Sequence, residues 1–157
     1  MATEGRDGAT VRFPPPLVYL GAVIAGGLLQ LVLPWTLPLG RGLRIGAAFA
    51  IGALGVALMA GAIRLFRRTG QDPAPWAPTP EIVSSGVYRF TRNPMYVGMT
   101  LLQIAIGVGF ANLWILALVP PAVAVIQAIA IRHEEAYLER KFGATYLDYK
   151  RSVRRWI

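Results

Sequence analysis

Residues 86–98 read GVYRFTRNPMYVG, and the architecture predicted for the chain follows from this stretch. It ends a polar, proline-rich segment and begins a run of 39 residues, 93–131, without a single charged side chain. That run is long enough for two membrane-crossing helices. Its far end reads RHEE, residues 132–135. If the run folds back as a helical hairpin, both polar ends meet on the same side of the bilayer and form one site.

Composition assigns the chain to the integral membrane proteins. Its 157 residues fit one domain, and only 15% of them are charged, against about 25% in an average soluble domain. The absence of cysteine excludes disulfides, thiolate metal sites and cysteine nucleophiles. The net charge of +8 comes from basic residues that flank apolar runs, as in membrane proteins, so we expect no nucleic acid partner.

The uncharged runs predict an all-α integral membrane fold with four transmembrane helices and amphipathic C-terminal helices. A short turn at 40–44 is expected to separate the first two spans. The predicted segments are a flexible N-terminus, two spans, a cytoplasmic loop, the helical hairpin and the C-terminal helices, at residues 1–16, 17–66, 67–92, 93–131 and 132–157.

Local signals predict where several helices begin and end. Asn93 followed by Pro94 is typical of a helix N-terminus and predicts the start of the third helix. Pro120 and Pro121 predict a kink or break in the middle of the fourth. Gly143 predicts the end of the first C-terminal helix. Glycines within the second span predict close helix packing.

The last residues alternate between apolar and basic side chains at helical spacing. The apolar positions are Tyr146, Tyr149, Val153 and Trp156. The opposite, basic face is predicted to carry Lys150, Arg151, Arg154 and Arg155. Two interpretations stay open: a helix that lies in the headgroup region of the bilayer, and a helix that packs against the protein's own loop.

The basic residues also predict orientation. Four spans place both termini and the loop after the second span on one side, with 14 of the 16 Lys and Arg residues. Only Arg41 and Arg44 fall on the opposite side. By the positive-inside rule, both termini and the candidate site face the cytoplasm.

Residues on both sides of the hairpin are able to bind charged ligands. Arg92 presents a planar fork for a carboxylate or phosphate, directly before a helix N-terminus; alternatively it is a membrane anchor and Asn93 a plain helix cap. Acidic residues are scarce, eight in all, yet Glu134 and Glu135 are adjacent. They suit a cationic ligand or else a solvated helix face. His133 is more typical of a cap or hydrogen-bonding residue, and no metal-ligand spacing is present.

The C-terminal half resembles a known family. The block RNPMYVG at 92–98, a helical hairpin, EEAYL at 134–138 and FGATYLDY at 142–149 are similar to the integral membrane methyltransferases. These comprise the isoprenylcysteine carboxyl methyltransferases and the phospholipid N-methyltransferases. The likeness runs from about residue 81 to the end. Asn93 stands where the carboxyl methyltransferases usually have histidine, and the upstream Gly-x-Gly element of phospholipid methyltransferases has no clear counterpart.

The resemblance implies S-adenosylmethionine as cofactor and a hydrophobic or lipid-like acceptor, methylated on a carboxyl oxygen or an amine nitrogen, within a membrane. Arg92 and Glu135 would be catalytic. The implied cofactor-binding residues are Tyr88, Arg92, Asn93, Pro94, Tyr96, Gly98, His133, Glu134 and Glu135. The alternative is a non-enzymatic four-helix membrane protein, either a small transporter or a lipid-binding subunit. Ionisable residues mark transport paths, and the spans contain none.

Overall fold

The computed structural model describes residues 8–9, 11, 13–72, 74 and 76–157, and the regular secondary structure of this part of the chain is helical, with one isolated β-bridge between Thr36 and Asn112. A 3₁₀ turn lies at Gly86–Arg89, and a π-helical segment lies at Gln127–Ile131. The helices are α1 (Pro15–Val32), α2 (Arg41–Arg68), α3 (Pro94–Gly109), α4 (Leu113–Ala117), α5 (Val119–Ile126), α6 (Arg132–Phe142) and α7 (Ala144–Ser152).

Three helical units within the described residues are long and apolar enough to cross a bilayer. They are α1, α2 and the unit from Leu113 to Phe142, which runs from α4 through α6. The fourth predicted span, α3, has 16 residues and is therefore about 24 Å long, less than the roughly 30 Å hydrocarbon core. The integral membrane fold therefore has three candidate spans, and the fourth crossing and the side on which the termini lie stay predictions.

The boundaries of α2 differ from those expected. The turn predicted at 40–44 lies instead between α1 and α2, at 33–40, because α2 already begins at Arg41. The helix also continues to Arg68, two residues beyond the predicted end of the second span. A helix with no proline continues past the hydrocarbon core, since arginine side chains at its ends reach the polar interface. Hydropathy alone therefore placed both ends of α2 too far inward.

The predicted interruption of the fourth helix is confirmed. α4 ends at Ala117, and Leu118 separates it from α5, whose first turn contains Pro120 and Pro121. Proline lacks the amide hydrogen that a helix interior requires, but the first turn of a helix leaves its amides unbonded anyway. Gly143, with a φ of 51°, ends α6 as predicted.

Helices α2 and α3 form the most extensive helix contact, and two glycines lie where they cross. A Cβ atom added to Gly98 would lie 2.5 Å from Met59 Cγ and 2.8 Å from the carbonyl oxygen of Gly55. A Cβ atom added to Gly55 would lie 2.8 Å from the carbonyl oxygen of Gly98. Only glycine permits this approach, so the close packing predicted for the second span is confirmed at Gly55.

A buried cluster packs α1, α3, α5 and the π-helical segment together, around Tyr19, Tyr96 and Ile126. Ala9 and Val11 join it from before α1 and are only 6% and 7% exposed. The predicted flexible N-terminus, residues 1–16, falls partly outside the described residues, which omit 1–7, 10 and 12. The described part includes these two buried side chains and the start of α1.

The segments that connect the helices lie at two ends of the helical bundle. At one end, Trp114 Nε1 at the start of α4 donates to the carbonyl oxygen of Leu33 after α1, over 2.7 Å. The other end collects the last turn of α2, the 3₁₀ turn, the first turn of α3, and helices α6 and α7. This second end carries the chain's polar side chains from both sides of the hairpin.

Candidate active site

A cleft opens at this polar end, between the loop after α2, the start of α3, and helices α6 and α7. Its inner cavity measures about 110 Å³, and the cleft as a whole encloses about 870 Å³ when counted to its open mouth. The aromatic side chains of its wall are Phe66, Tyr88, Tyr96, Tyr137, Tyr146 and Tyr149. Between them lie the polar side chains of Arg92, Asn93, Glu134 and Glu135.

Glu135 lies between two guanidinium groups. Arg155 donates to it through two hydrogen bonds, Nε to Oε1 over 2.9 Å and Nη2 to Oε2 over 2.7 Å. Arg92 Nη1 lies 3.2 Å from the same Oε1, an ion pair whose geometry falls short of a hydrogen bond. A buried carboxylate needs such partners, and Glu135 is 7% exposed. The charge of Glu135 is therefore fully compensated within the protein.

Glu134 has very different surroundings from its neighbour. Its Oε1 accepts a hydrogen bond from the hydroxyl of Tyr96, one turn into α3. Within the described part of the chain no lysine or arginine forms an ion pair with it. A carboxylate removed from water without a cation is costly. Glu134, on the cleft wall beside Tyr96, is therefore a carboxylate that is available to a cationic ligand.

Arg92, at the other end of the predicted hairpin, is a cationic group that lines the same cleft as Glu134. Its side chain is 8% exposed, and its Nε and Nη1 atoms have no hydrogen-bond partner among the described residues. Buried guanidinium N–H groups are normally satisfied, so two unused donors at a cleft indicate a place for an acceptor. The backbone amide of Arg92 is bonded to the carbonyl oxygen of Arg154 over 3.0 Å, which fixes the position of the residue.

Asn93 occupies the N-cap position of α3, but its side chain does not cap the helix. Its Nδ2 atom donates instead to the carbonyl oxygen of Arg155 over 2.8 Å, and the Thr91 hydroxyl donates to the same oxygen over 3.2 Å. The start of α3 is thus tied to the C-terminal tail. Asn93 is 8% exposed and lines the cleft.

The C-terminal residues pack against the protein's own 3₁₀ turn and α3, the second of the two interpretations. The Tyr149 hydroxyl donates to the carbonyl oxygen of Tyr88 over 2.8 Å. The assignment of Arg155 to an outer basic face is wrong, because α7 ends at Ser152 and Val153 is extended. This change of backbone conformation breaks the helical spacing and turns Arg155 toward Glu135.

Three tyrosines of the cleft wall, Tyr88, Tyr146 and Tyr149, have a pKa that is raised above the ordinary value. Burial raises the pKa of Tyr88 and Tyr149 well above their usual range, and it raises the pKa of Tyr146 to about 12, with Glu135 adding to the effect. These phenols therefore act as aromatic surface and as hydrogen-bond donors and are not available as bases. The hydrogen bonds to Glu135 likewise raise the pKa of Arg155.

The structure brings most of the predicted site residues together, though not all. Those that line the cleft are Tyr88, Arg92, Asn93, Pro94, Tyr96, Glu134 and Glu135. Gly98 lies at the crossing of α2 and α3 instead, and His133 is exposed on α6 outside the cleft lining. Sequence reasoning missed Tyr137, Tyr146, Tyr149 and Arg155 as parts of the site. The helical spacing of α6 and α7 indicates that these three tyrosines lie near the site, but no sequence pattern predicts the position of Arg155.

Comparison with known proteins shows the family to which the chain belongs. The model of the phospholipid methyltransferase family matches residues 44–145, which run from α2 to the start of α7 and include Arg92 and Glu134. The chain belongs to the phospholipid methyltransferase family. An uncharacterised protein of Haemophilus influenzae is 37% identical over 65 residues, which make up 40% of this chain and the whole of that relative. The resemblance to membrane methyltransferases is thereby confirmed, and membership in the phospholipid methyltransferase family supports methyl transfer to lipid-like substrates.

Proposed function

We propose that the protein transfers a methyl group from S-adenosylmethionine to a lipid-like acceptor at the cytoplasmic face of the membrane. One observation carries the proposal: Arg92, with two unused N–H donors, lines the same cleft as Glu134, a carboxylate without an ion pair. Opposite charges that line one cleft suit a ligand that is itself zwitterionic. The excess of Lys and Arg on that side of the predicted topology supports the cytoplasmic orientation.

The residues present fit the amino-acid end of S-adenosylmethionine. Its carboxylate matches the free donors of Arg92, because a guanidinium fork binds carboxylates through charge-assisted hydrogen bonds. Its ammonium matches the carboxylate of Glu134. The faces of Tyr88 and Tyr96 offer aromatic surface to the adenine and to the positively charged sulfonium. The charged and the apolar parts of the cofactor thus each have a counterpart in the cleft wall.

Catalysis by this chain is largely a matter of positioning. The cofactor, when bound, supplies a methyl group on an activated carbon. Arg92 and Glu134 fix the orientation of the bound molecule, and the neutral tyrosines exclude water from it. Glu135, implied as catalytic by the resemblance, does not contact the ligand in this proposal, because both of its oxygens are already engaged by Arg155; it orients Arg92 through their 3.2 Å ion pair.

The acceptor is hydrophobic in this proposal. Apolar side chains of the loop after α2, of α3 and of α6 complete the cleft wall: Ile82, Val83, Met95 and Leu138. Because the cleft lies at the polar ends of apolar helices, a lipid is able to present its headgroup while its chains stay in the bilayer. A carboxylate acceptor needs no base, whereas an amine acceptor must first lose its proton.

The proposal is tested by methyl transfer in membranes that contain the protein. Membranes are incubated with methyl-tritiated S-adenosylmethionine, the label in the organic extract is counted, and the extract is then treated with mild alkali and assayed for volatile tritiated methanol. We expect extractable label at several times the background of membranes without the protein. Alkali releases the methyl group of a methyl ester as volatile methanol, whereas an N-methyl group stays in a non-volatile product, so the volatile fraction of the label identifies the acceptor group. A folded protein that transfers no label and binds no S-adenosylhomocysteine contradicts the proposal.

A further inference from the structure

We propose that Arg155, in the C-terminal tail, is a positioning residue that keeps the Arg92 guanidinium free to bind an anion. The inference rests on the proposed function, since the anion is the carboxylate of the cofactor. Arg155 itself lies outside the cleft lining, and its side chain is 33% exposed, against 8% for Arg92. It therefore acts on the ligand through other residues.

The hydrogen bonds from Arg155 leave Glu135 with no free oxygen for Arg92. Arg155 occupies both carboxylate oxygens in the two-pronged arrangement that guanidinium and carboxylate groups prefer, at 2.9 and 2.7 Å. Arg92 is left with a 3.2 Å ion pair without a hydrogen bond, and with unused donors at Nε and Nη1. Arg155 thus prevents Glu135 from satisfying Arg92, and these donors stay available.

Arg155 also changes the net charge of the cluster that it forms with Arg92 and Glu135. Arg92, Arg155 and Glu135 together hold two positive charges and one negative charge, a net charge of +1. Without Arg155, Glu135 and Arg92 form a one-to-one pair with no net charge, and the carboxylate is free to bond Arg92 through both oxygens. Such a pair attracts an anionic ligand far less, because the remaining field is that of a dipole. Arg155 thus supplies the excess positive charge from outside the cleft.

The backbone of the C-terminal tail, residues 153–157, is bonded to the start of α3 independently of the Arg155 side chain. The carbonyl oxygens of Arg154 and Arg155 accept hydrogen bonds from the Arg92 amide and the Asn93 side chain. The tail is therefore bonded to the start of α3 through its backbone and to α6 through the Arg155 side chain. Because the backbone bonds do not need a charged side chain, a substitution at Arg155 is expected to remove the charge and leave the tail in place.

The test compares two ligands on purified, folded protein by isothermal calorimetry: S-adenosylhomocysteine and its decarboxylated form. We expect Arg155→Gln to weaken S-adenosylhomocysteine binding about tenfold and not to weaken binding of the decarboxylated ligand, because only the ligand carboxylate is attracted by the positive cluster. Arg155→Lys keeps the charge but not the two-pronged bonds to Glu135, so it should lose less affinity for S-adenosylhomocysteine than Arg155→Gln does. Arg154→Gln is the matched control, since its exposed side chain lies one residue away and outside the cluster.

A double variant separates positioning from simple support of the tail. In Glu135→Gln/Arg155→Gln no carboxylate competes for Arg92, so S-adenosylhomocysteine affinity should return to within about threefold of wild type. A tail that merely stabilises the fold predicts the opposite, a further loss. Unchanged affinity in Arg155→Gln, equal losses for both ligands, or no recovery in the double variant overturns the role of Arg155. A wild-type protein that binds neither ligand overturns the proposed function, and this inference with it.

Discussion

Replacement of Arg92 by glutamine is expected to weaken the binding of S-adenosylhomocysteine about 100-fold, or ~2.7 kcal/mol. Arg92 is 8% exposed, and its Nε and Nη1 atoms are the unused donors of the cleft. Charge-assisted hydrogen bonds from such a group are roughly twice as strong as neutral ones, and glutamine forms neither the fork nor the charge. Isothermal calorimetry on detergent-purified protein measures the loss.

Arg89→Gln is the matched control for this variant. Arg89 lies three residues earlier, at the end of the 3₁₀ turn, and its side chain is exposed. It belongs to the same predicted basic side as Arg92 but does not line the cleft. We expect its variant to bind like wild type. If both variants lose affinity equally, the effect belongs to the general basic charge of this surface, and Arg92 has no specific role in ligand binding.

Replacement of Glu134 by glutamine is expected to weaken S-adenosylhomocysteine binding by about 10- to 100-fold, the size of a charge-assisted hydrogen bond to a buried carboxylate. Glutamine keeps an oxygen that accepts from the Tyr96 hydroxyl, so the local packing of α3 on α6 is retained. What is lost is the negative charge that faces the ammonium of the ligand. Binding of methylthioadenosine, which lacks the amino-acid end, should therefore be unaffected.

Glu139→Gln provides the control on the same helix. Glu139 forms an ion pair with Lys150 on α7, and it does not line the cleft. We expect it to bind both ligands like wild type. Equal affinity of Glu134→Gln and wild type for S-adenosylhomocysteine would remove Glu134 from the binding site. A parallel loss for methylthioadenosine would instead indicate that the substitution disturbs the whole cleft.

The meeting of the two polar segments was predictable from the sequence because hydropathy and chain length determine it. An uncharged run that is long enough for two crossings is expected to return to the side on which it began. The structure brings the two segments together, with Arg92 Nη1 3.2 Å from Glu135 Oε1 and the Tyr96 hydroxyl bonded to Glu134. Helix ends marked by proline or glycine, at Pro120 and Gly143, were equally accessible, because these residues restrict or relax the backbone directly.

The sequence does not show that Glu135 pairs with arginines whereas Glu134 bonds to Tyr96. Adjacent side chains on a helix point about 100° apart, and only the packed tail shows which of them faces Arg155. Extrapolating the spacing of α7 into the tail failed because Val153 is extended, a conformation that tertiary contacts select. The burial of Ala9 and Val11 was inaccessible for the same reason, since neither residue belongs to a periodic pattern.

The central claim is that the start of α3 and the first turn of α6 form one site for S-adenosylmethionine. Ultraviolet attachment of methyl-labelled S-adenosylmethionine to the purified protein, followed by mass-spectrometric mapping of the labelled peptides, tests it most directly. We expect label in peptides from residues 86–98 and 132–149, and its loss when excess S-adenosylhomocysteine is present. Label confined to α1 or to the membrane-facing part of α2, or label that S-adenosylhomocysteine does not displace, would contradict the claim.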